Sequence, residues 1–198
     1  MHEDKQHAIL RFWFGEDPRN PLTNFRMWFS KSSSIDNEIR ERFANDLEEA
    51  RTGAFDNWVK TPDGALALVV LLDQFPRQIF RGTDQAFAFD ERALGSAQIA
   101  IAYGFDNNMG VVERCFLYLP FEHCERIEIQ ERSVELFKQL YAEAQGEEKS
   151  FITQALDYAV RHREVINEFG RFPHRNEILG RTSTTEEIEF LKKPGAYF

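Results

Sequence analysis

The stretch TPDGALALVVLLDQFPRQI, Thr61 to Ile79, decides the fold. Thr61 followed by Pro62 reads as a helix cap and a first helical position. The hydroxyl can accept an orphan backbone N–H, and proline's missing donor is harmless in the first turn. From Ala65 to Leu72 every residue is apolar. A helix with no polar side has nothing to offer water, so it belongs at the centre of the molecule. Asp73 and Gln74 then interrupt the apolar run just before Pro76. That proline removes one helical donor and leaves the Leu72 carbonyl without its usual partner, so the helix should kink or end there.

Outward from this centre the periodicity is helical on both sides. Ile35, Ile39, Phe43, Leu47 and Ala50 recur at helical spacing, with Ser33 or Ser34 as cap and Gly53 as stop. Asp90 opens a helix that Gly104 closes, and Val111 to about Glu125 supplies its partner. Ile129, Ser133, Leu136, Leu140 and Ala144 mark another. Phe151, Ala155, Tyr158, His162, Val165 and Phe169 form the clearest stripe, and Thr184 with Glu187 makes a capping box for a last short helix. Towards the N-terminus lie a helix around Ile9 to Phe14, a loop with Pro18 and Pro21, and a helix over Phe25 to Phe29. Short turns carrying Gly, Pro, Asn or Asp join these helices, which makes sequential neighbours antiparallel. The expectation is an all-α chain of stacked helical hairpins forming a single domain over residues 1–198, with no strand and no strict internal repeat.

Composition narrows the function classes. With 24 Lys and Arg against 33 Asp and Glu, the net charge of −9 disfavours nucleic acid and anionic membranes as partners. The longest apolar run is far too short to span a bilayer, and the residues after Met1 lack a basic region followed by an apolar one. Cys115 and Cys124 form neither a CxxC motif nor a disulfide framework. A cytoplasmic protein with two buried thiols is therefore expected. The 19 Phe residues are unusual, because several stand beside Pro, Arg and His instead of in plain apolar stripes. Such aromatics can wall either a core or a pocket.

Three segments break the plain helical pattern. In LDQFPRQIFRG (72–82), Asp73 and Arg77 lie one turn apart and can pair, with Gln74 beside them. The structural reading is an ion pair stitching a kinked helix to its neighbour. In LPFEHCE (119–125), Glu122 and Glu125 share a helix face near His123. Carboxylates held close in an aromatic setting have raised pKa values, as acid–base catalysts do. The alternative pairs Glu122 with Arg126 and turns His123 to solvent. Between Arg161 and Arg181 an acidic protein acquires a basic island. There FGRFPHRN (169–176) places Gly170 as a helix terminator and Pro173 at the start of another turn, flanked by Arg171, His174, Arg175 and Asn176. A helix start with free N–H groups and forked guanidinium groups favours a carboxylate or phosphate. The competing reading has these arginines satisfy Asp73, Glu122 and Glu125 across the hairpins. His162 sits on the apolar stripe of its helix, where a satisfied core histidine is the commoner outcome. With Glu122 and Glu125 it also suggests a metal, but no HExxH, Glu-x-x-His or Cys/His cluster supports one. No dinucleotide fingerprint or phosphate loop is present, so neither metal nor cofactor is expected.

At these three segments the sequence resembles a family called domain of unknown function 924, over nearly the whole chain. FGRFPHRNEILGR (169–181) is the most specific of the shared motifs. Gln78 and Cys124 stand where the family pattern suggests Asn and Ser. The resemblance implies a superhelical stack of hairpins like that of tetratricopeptide repeats, and it brings no activity. The expectation is that Asp73, Gln74, Arg77, Glu122, His123, Glu125, His162, Arg171, His174, Arg175 and Asn176 converge on an aromatic-lined pocket for a small anionic ligand, with catalysis open. Its rival is an adaptor that receives a peptide or protein in a groove. A third reading has the motifs merely hold an irregular stack together.

Overall fold

The structure is a computed structural model that describes residues 2–17, 22–29 and 31–197. The expected loop with Pro18 and Pro21 lies outside the described residues. All regular elements among them are helical: α1 (His2–Phe14), α2 (Phe25–Phe29), α3 (Ser33–Arg51), α4 (Pro62–Val69), α5 (Phe75–Ile79), α6 (Asp90–Ala102), α7 (Val111–Glu122), α8 (Ile127–Glu143), α9 (Gly146–Phe169) and α10 (Thr185–Leu191), with short 3₁₀ turns between some of them. None is long and apolar enough to cross a membrane.

The Thr61–Ile79 stretch is the central rod. Thr61 Oγ1 accepts the Gly64 N–H at 3.2 Å, with Pro62 at the first position. A Cβ at Gly64 would collide with the Trp58 carbonyl, so only glycine permits this close approach. Every residue from Gly64 to Asp73 is buried. Around the rod, α1, α6 and α7 pack on α4, and α3 packs on α5. The sequence α7, α8, α9 folds back on itself through short links, and each helix packs on the next. A single apolar cluster joins residues of α1 to α9. Trp13, Phe75 and Phe116 are buried in it, the Phe75 and Phe116 ring centroids lying 5.7 and 5.4 Å from that of Trp13. Each such aromatic contributes roughly 1.5–3 kcal/mol of burial. A smaller cluster of Val165, Ile166 and Phe172, with Phe169 and Phe190 against it, ties the end of α9 to the C-terminal segment.

Two departures from the sequence reading concern helix ends. Ser32, not Ser33 or Ser34, occupies the N-cap position of α3, and its hydroxyl bonds Ser34 Oγ instead of a backbone N–H. The Val111 helix ends at Glu122, so Glu125 lies beyond it. Tyr158, placed by periodicity on the buried stripe of α9, is exposed, because that part of the helix has solvent on its outer side.

Candidate functional site

Before Pro76 the central rod does not merely kink. Val70–Gln74 widens into one π-helical turn. Such turns absorb an extra residue and recur at functional sites. Its effect is to aim Asp73 inward, where it has no exposed surface. Asp73 Oδ1 accepts from His123 Nδ1 at 2.7 Å and lies 3.3 Å from Arg77 Nη1, while Oδ2 accepts from Gln74 Nε2. Arg77 Nη1 also donates to the Asp73 carbonyl at 2.7 Å. Burial alone would raise the Asp73 pKa. The Arg77 charge, with the hydrogen bonds from His123 and Gln74, outweighs it and holds the carboxyl below its usual range. An ionised Asp73 only accepts, so His123 carries its proton on Nδ1 and presents a bare Nε2. Burial, then Arg77, lower the His123 pKa, which keeps the ring neutral near pH 7.

Glu122 and His162 form the floor of this centre, each 4 % exposed. His162 Nδ1 donates to the Tyr158 carbonyl at 2.8 Å and lies 3.3 Å from Glu122 Oε1. Glu122 Oε2 has no hydrogen-bond partner among the described residues. Burial, then the nearby Asp73 charge, push Glu122 up to about 8. It is therefore a neutral acid at pH 7. The expected raised carboxylate is present, but its like-charge neighbour is Asp73 and not Glu125. The alternative pairing of Glu122 with Arg126 does not form, since Arg126 reaches Glu91 at 3.0 Å. Nor does His123 face solvent.

Two guanidinium groups close the centre. Arg77 holds Asp90 through both forks, at 2.8 and 3.1 Å. That leaves Arg175 a single 3.3 Å contact with Asp90 Oδ2. Arg175 is 6 % exposed, its Nε has no partner among the described residues, and its guanidinium lies 4.6 Å from the ring centroids of both Phe87 and Phe172. Burial, then the Arg77 charge, lower its pKa to about 10. His174 stands beside it, its ring 5.6 Å from that of Phe172, and burial followed by Arg175 lowers its pKa to about 4.

The remaining candidates belong to a separate, closed network. Glu125 accepts both forks of Arg181, at 2.7 and 3.0 Å, and the Phe172 N–H at 2.8 Å. Burial opposes its ionisation, but Arg181 and the Phe172 N–H hold its pKa low. Arg171 binds Glu187 through both forks, at 2.7 and 2.8 Å, and Asn176 Nδ2 adds a bond to Glu187 Oε2 at 3.1 Å. Glu187 also completes the α10 capping box. The helix start at Pro173, expected to offer free N–H groups to an outside anion, is a three-residue 3₁₀ turn, and Glu125 takes the N–H just ahead of it. Of the sequence candidates, then, Asp73, Gln74, Arg77, Glu122, His123, His162, His174 and Arg175 gather in the centre. Glu125, Arg171 and Asn176 form the clasp beside it.

Four participants escaped the sequence reading. Asp90 reads in the sequence only as a helix start, and Phe87 and Phe172 carry no signal beyond being aromatic. Gln130 is wholly buried and donates to the carbonyls of Glu122 at 2.6 Å and Cys124 at 2.7 Å, which fixes the corner bearing Glu122 and His123. A polar residue on the buried face of α8 was the available clue. Two clefts of about 610 and 420 Å³ lie elsewhere, one lined by Trp58, Asn57 and Asp63 and the other by Arg11, Phe14 and Glu113.

Fold and site together define an all-α protein organised round a buried carboxylate, imidazole and guanidinium centre. The chain belongs to the family described as bacterial protein of unknown function (DUF924), which it matches over residues 9–195. It is also similar to a solved structure, a protein of unknown function, ATU0120, from Agrobacterium tumefaciens. The two are 36 % identical with a TM-score of 0.83, and the match covers 97 % of this chain and 99 % of that one. No curated relative matches.

Proposed function

We propose that the protein binds a small anionic ligand at Arg175, in the aromatic-flanked centre. The observation that carries this reading is the state of Arg175. It is a buried guanidinium clamped between two rings, and its nearest carboxylate is already committed to Arg77. A buried charge with so little compensation is costly, and an incoming carboxylate or phosphate would supply what is missing. Glu122, neutral at pH 7, adds no repulsion to such an anion.

A thermal-shift screen with inorganic phosphate, phosphorylated metabolites and mono- and dicarboxylates tests this reading. Only ligands that bind the native state raise the melting temperature. A shift in the parent that disappears in Arg175→Met supports the anion site. A shift that survives in the variant, or none with any anion, rejects it. The second reading is a tetratricopeptide-like adaptor for a peptide or protein, favoured by the exposed ring of Phe29, 60 % exposed, beside the exposed Phe25. A cytoplasmic location is part of the proposal, supported by the two free, buried thiols Cys115 and Cys124.

A further inference from the structure

We infer that this centre is catalytic, and that His123, held by Asp73, removes a proton from the carbon next to a carbonyl of a carboxylate-bearing substrate seated on Arg175. The inference rests on the anion-binding reading and adds a reaction to it.

The first ground is the base. The 2.7 Å bond to the wholly buried Asp73 fixes the His123 ring and its tautomer, and leaves Nε2 as the free lone pair. Arg77 keeps Asp73 ionised, so the imidazolium formed on proton capture has a carboxylate beside it. His123 is not sealed off: its side chain is 15 % exposed, and those of Arg77 and Asp90 are 19 % and 17 % exposed.

The second ground is the place for developing charge. When the C–H bond breaks, its electron pair moves onto the neighbouring carbonyl and makes an enolate. The under-partnered Arg175 guanidinium, clamped by Phe87 and Phe172, is fixed in a low-dielectric site where such charge is best stabilised. The proton goes to His123 Nε2, and its return to the same carbon regenerates the carbonyl and closes the cycle. No oxidant, reductant or co-reactant is consumed.

The third ground is what the centre is made of. Its side chains are bases, acids and cations. The adjacent Cys115 is buried, and burial pushes its thiol well above the usual range, so it offers no thiolate nucleophile. Proton transfer is the chemistry for which this set is equipped, and covalent acyl transfer is not. The charged and titratable groups around His123 are Asp73, Arg77 and Asp90, with His162 and His174 also within electrostatic reach.

The test follows exchange of the C3 protons of 2-oxobutyrate in D₂O by ¹H NMR, with the full chain, while thermal shift reports binding of the same compound. The parent should accelerate exchange over buffer, with a rate that rises with pH through a limb below 6.5. His123→Asn keeps an amide donor for Asp73 but lacks the Nε2 base. It should lose about 10²–10⁴-fold of the exchange rate while the thermal shift remains. Asp73→Asn should lower the rate and displace the pH limb. A thermal shift without accelerated exchange, or exchange unchanged in His123→Asn, overturns the catalytic inference and leaves anion binding standing. Absence of both shift and exchange overturns the inference. If phosphate and the other carboxylates also give no shift, anion binding falls with it.

Discussion

The clasp and the centre lie side by side, draw on the same residue types and are built by opposite rules. In the clasp, Glu125 and Glu187 each receive a two-forked arginine and a backbone N–H, so every carboxylate is matched. In the centre the charges are more deeply buried and, among the described residues, less well matched: two guanidinium groups share Asp90, Glu122 is left neutral with one oxygen unpartnered, and Arg175 has one long contact with a carboxylate. Matched ion pairs account for themselves as structure. Unmatched buried charge does not, since hydrophobic side chains of the same size would often serve stability as well or better. The basic island of the sequence thus divides into two things, a fastening and the proposed site.

Breaking the shared corner should have the largest effect. Gln130→Leu strips the Glu122 and Cys124 carbonyls of their buried donor and should cost about 3 kcal/mol in urea unfolding, loosening both regions together. Glu125→Ala should cost about 2 kcal/mol, because Arg181 and the Phe172 N–H lose their acceptor while the partly exposed pair is discounted for solvent. It should leave the centre's anion affinity within about threefold. Glu122→Gln sharpens the contrast through pH. The Glu122 carboxyl titrates at about 8 in the fold against 4.5 as a free side chain, so the folded protein holds an extra proton between those values and loses stability as pH rises through them. The variant should therefore gain on the parent in melting temperature from pH 5 to pH 8.5. His174 runs the other way. Its folded value of about 4 lies below the ordinary 6.5, so its contribution is lost as pH falls from 6.5 towards 4, and Glu122→Gln should leave that acid limb in place. The smallest expected stability change is for Arg175→Met, within about 1 kcal/mol of the parent, because Asp90 keeps both forks of Arg77.

What the sequence made legible follows from which interactions are local. The Thr61 cap, the apolar run to Leu72, the Thr184 capping box and the Gly170 stop each depend on residues within a turn or two, and each appears where the spacing placed it. The three irregular segments also meet, because a proline or polar break in a buried helix demands compensation nearby. The division of their residues into centre and clasp was not legible. It depends on the pairing of Asp90 with Arg77 and Arg175 and of Glu125 with Arg181, across 13, 85 and 56 residues. Nor does spacing reveal that Glu122 ends its helix, which removes Glu125 from its face and gives it Asp73 as neighbour instead.

Urea unfolding of Arg175→Met and Glu125→Ala, each with and without a saturating anion from the screen, tests the division most directly. Arg175→Met should keep its stability and lose the ligand's stabilisation, and Glu125→Ala should lose stability and keep the ligand's effect. Arg175→Met unfolding as readily as Glu125→Ala, with ligand stabilisation intact, would make Arg175 one more strut and contradict the assignment of the centre as the site.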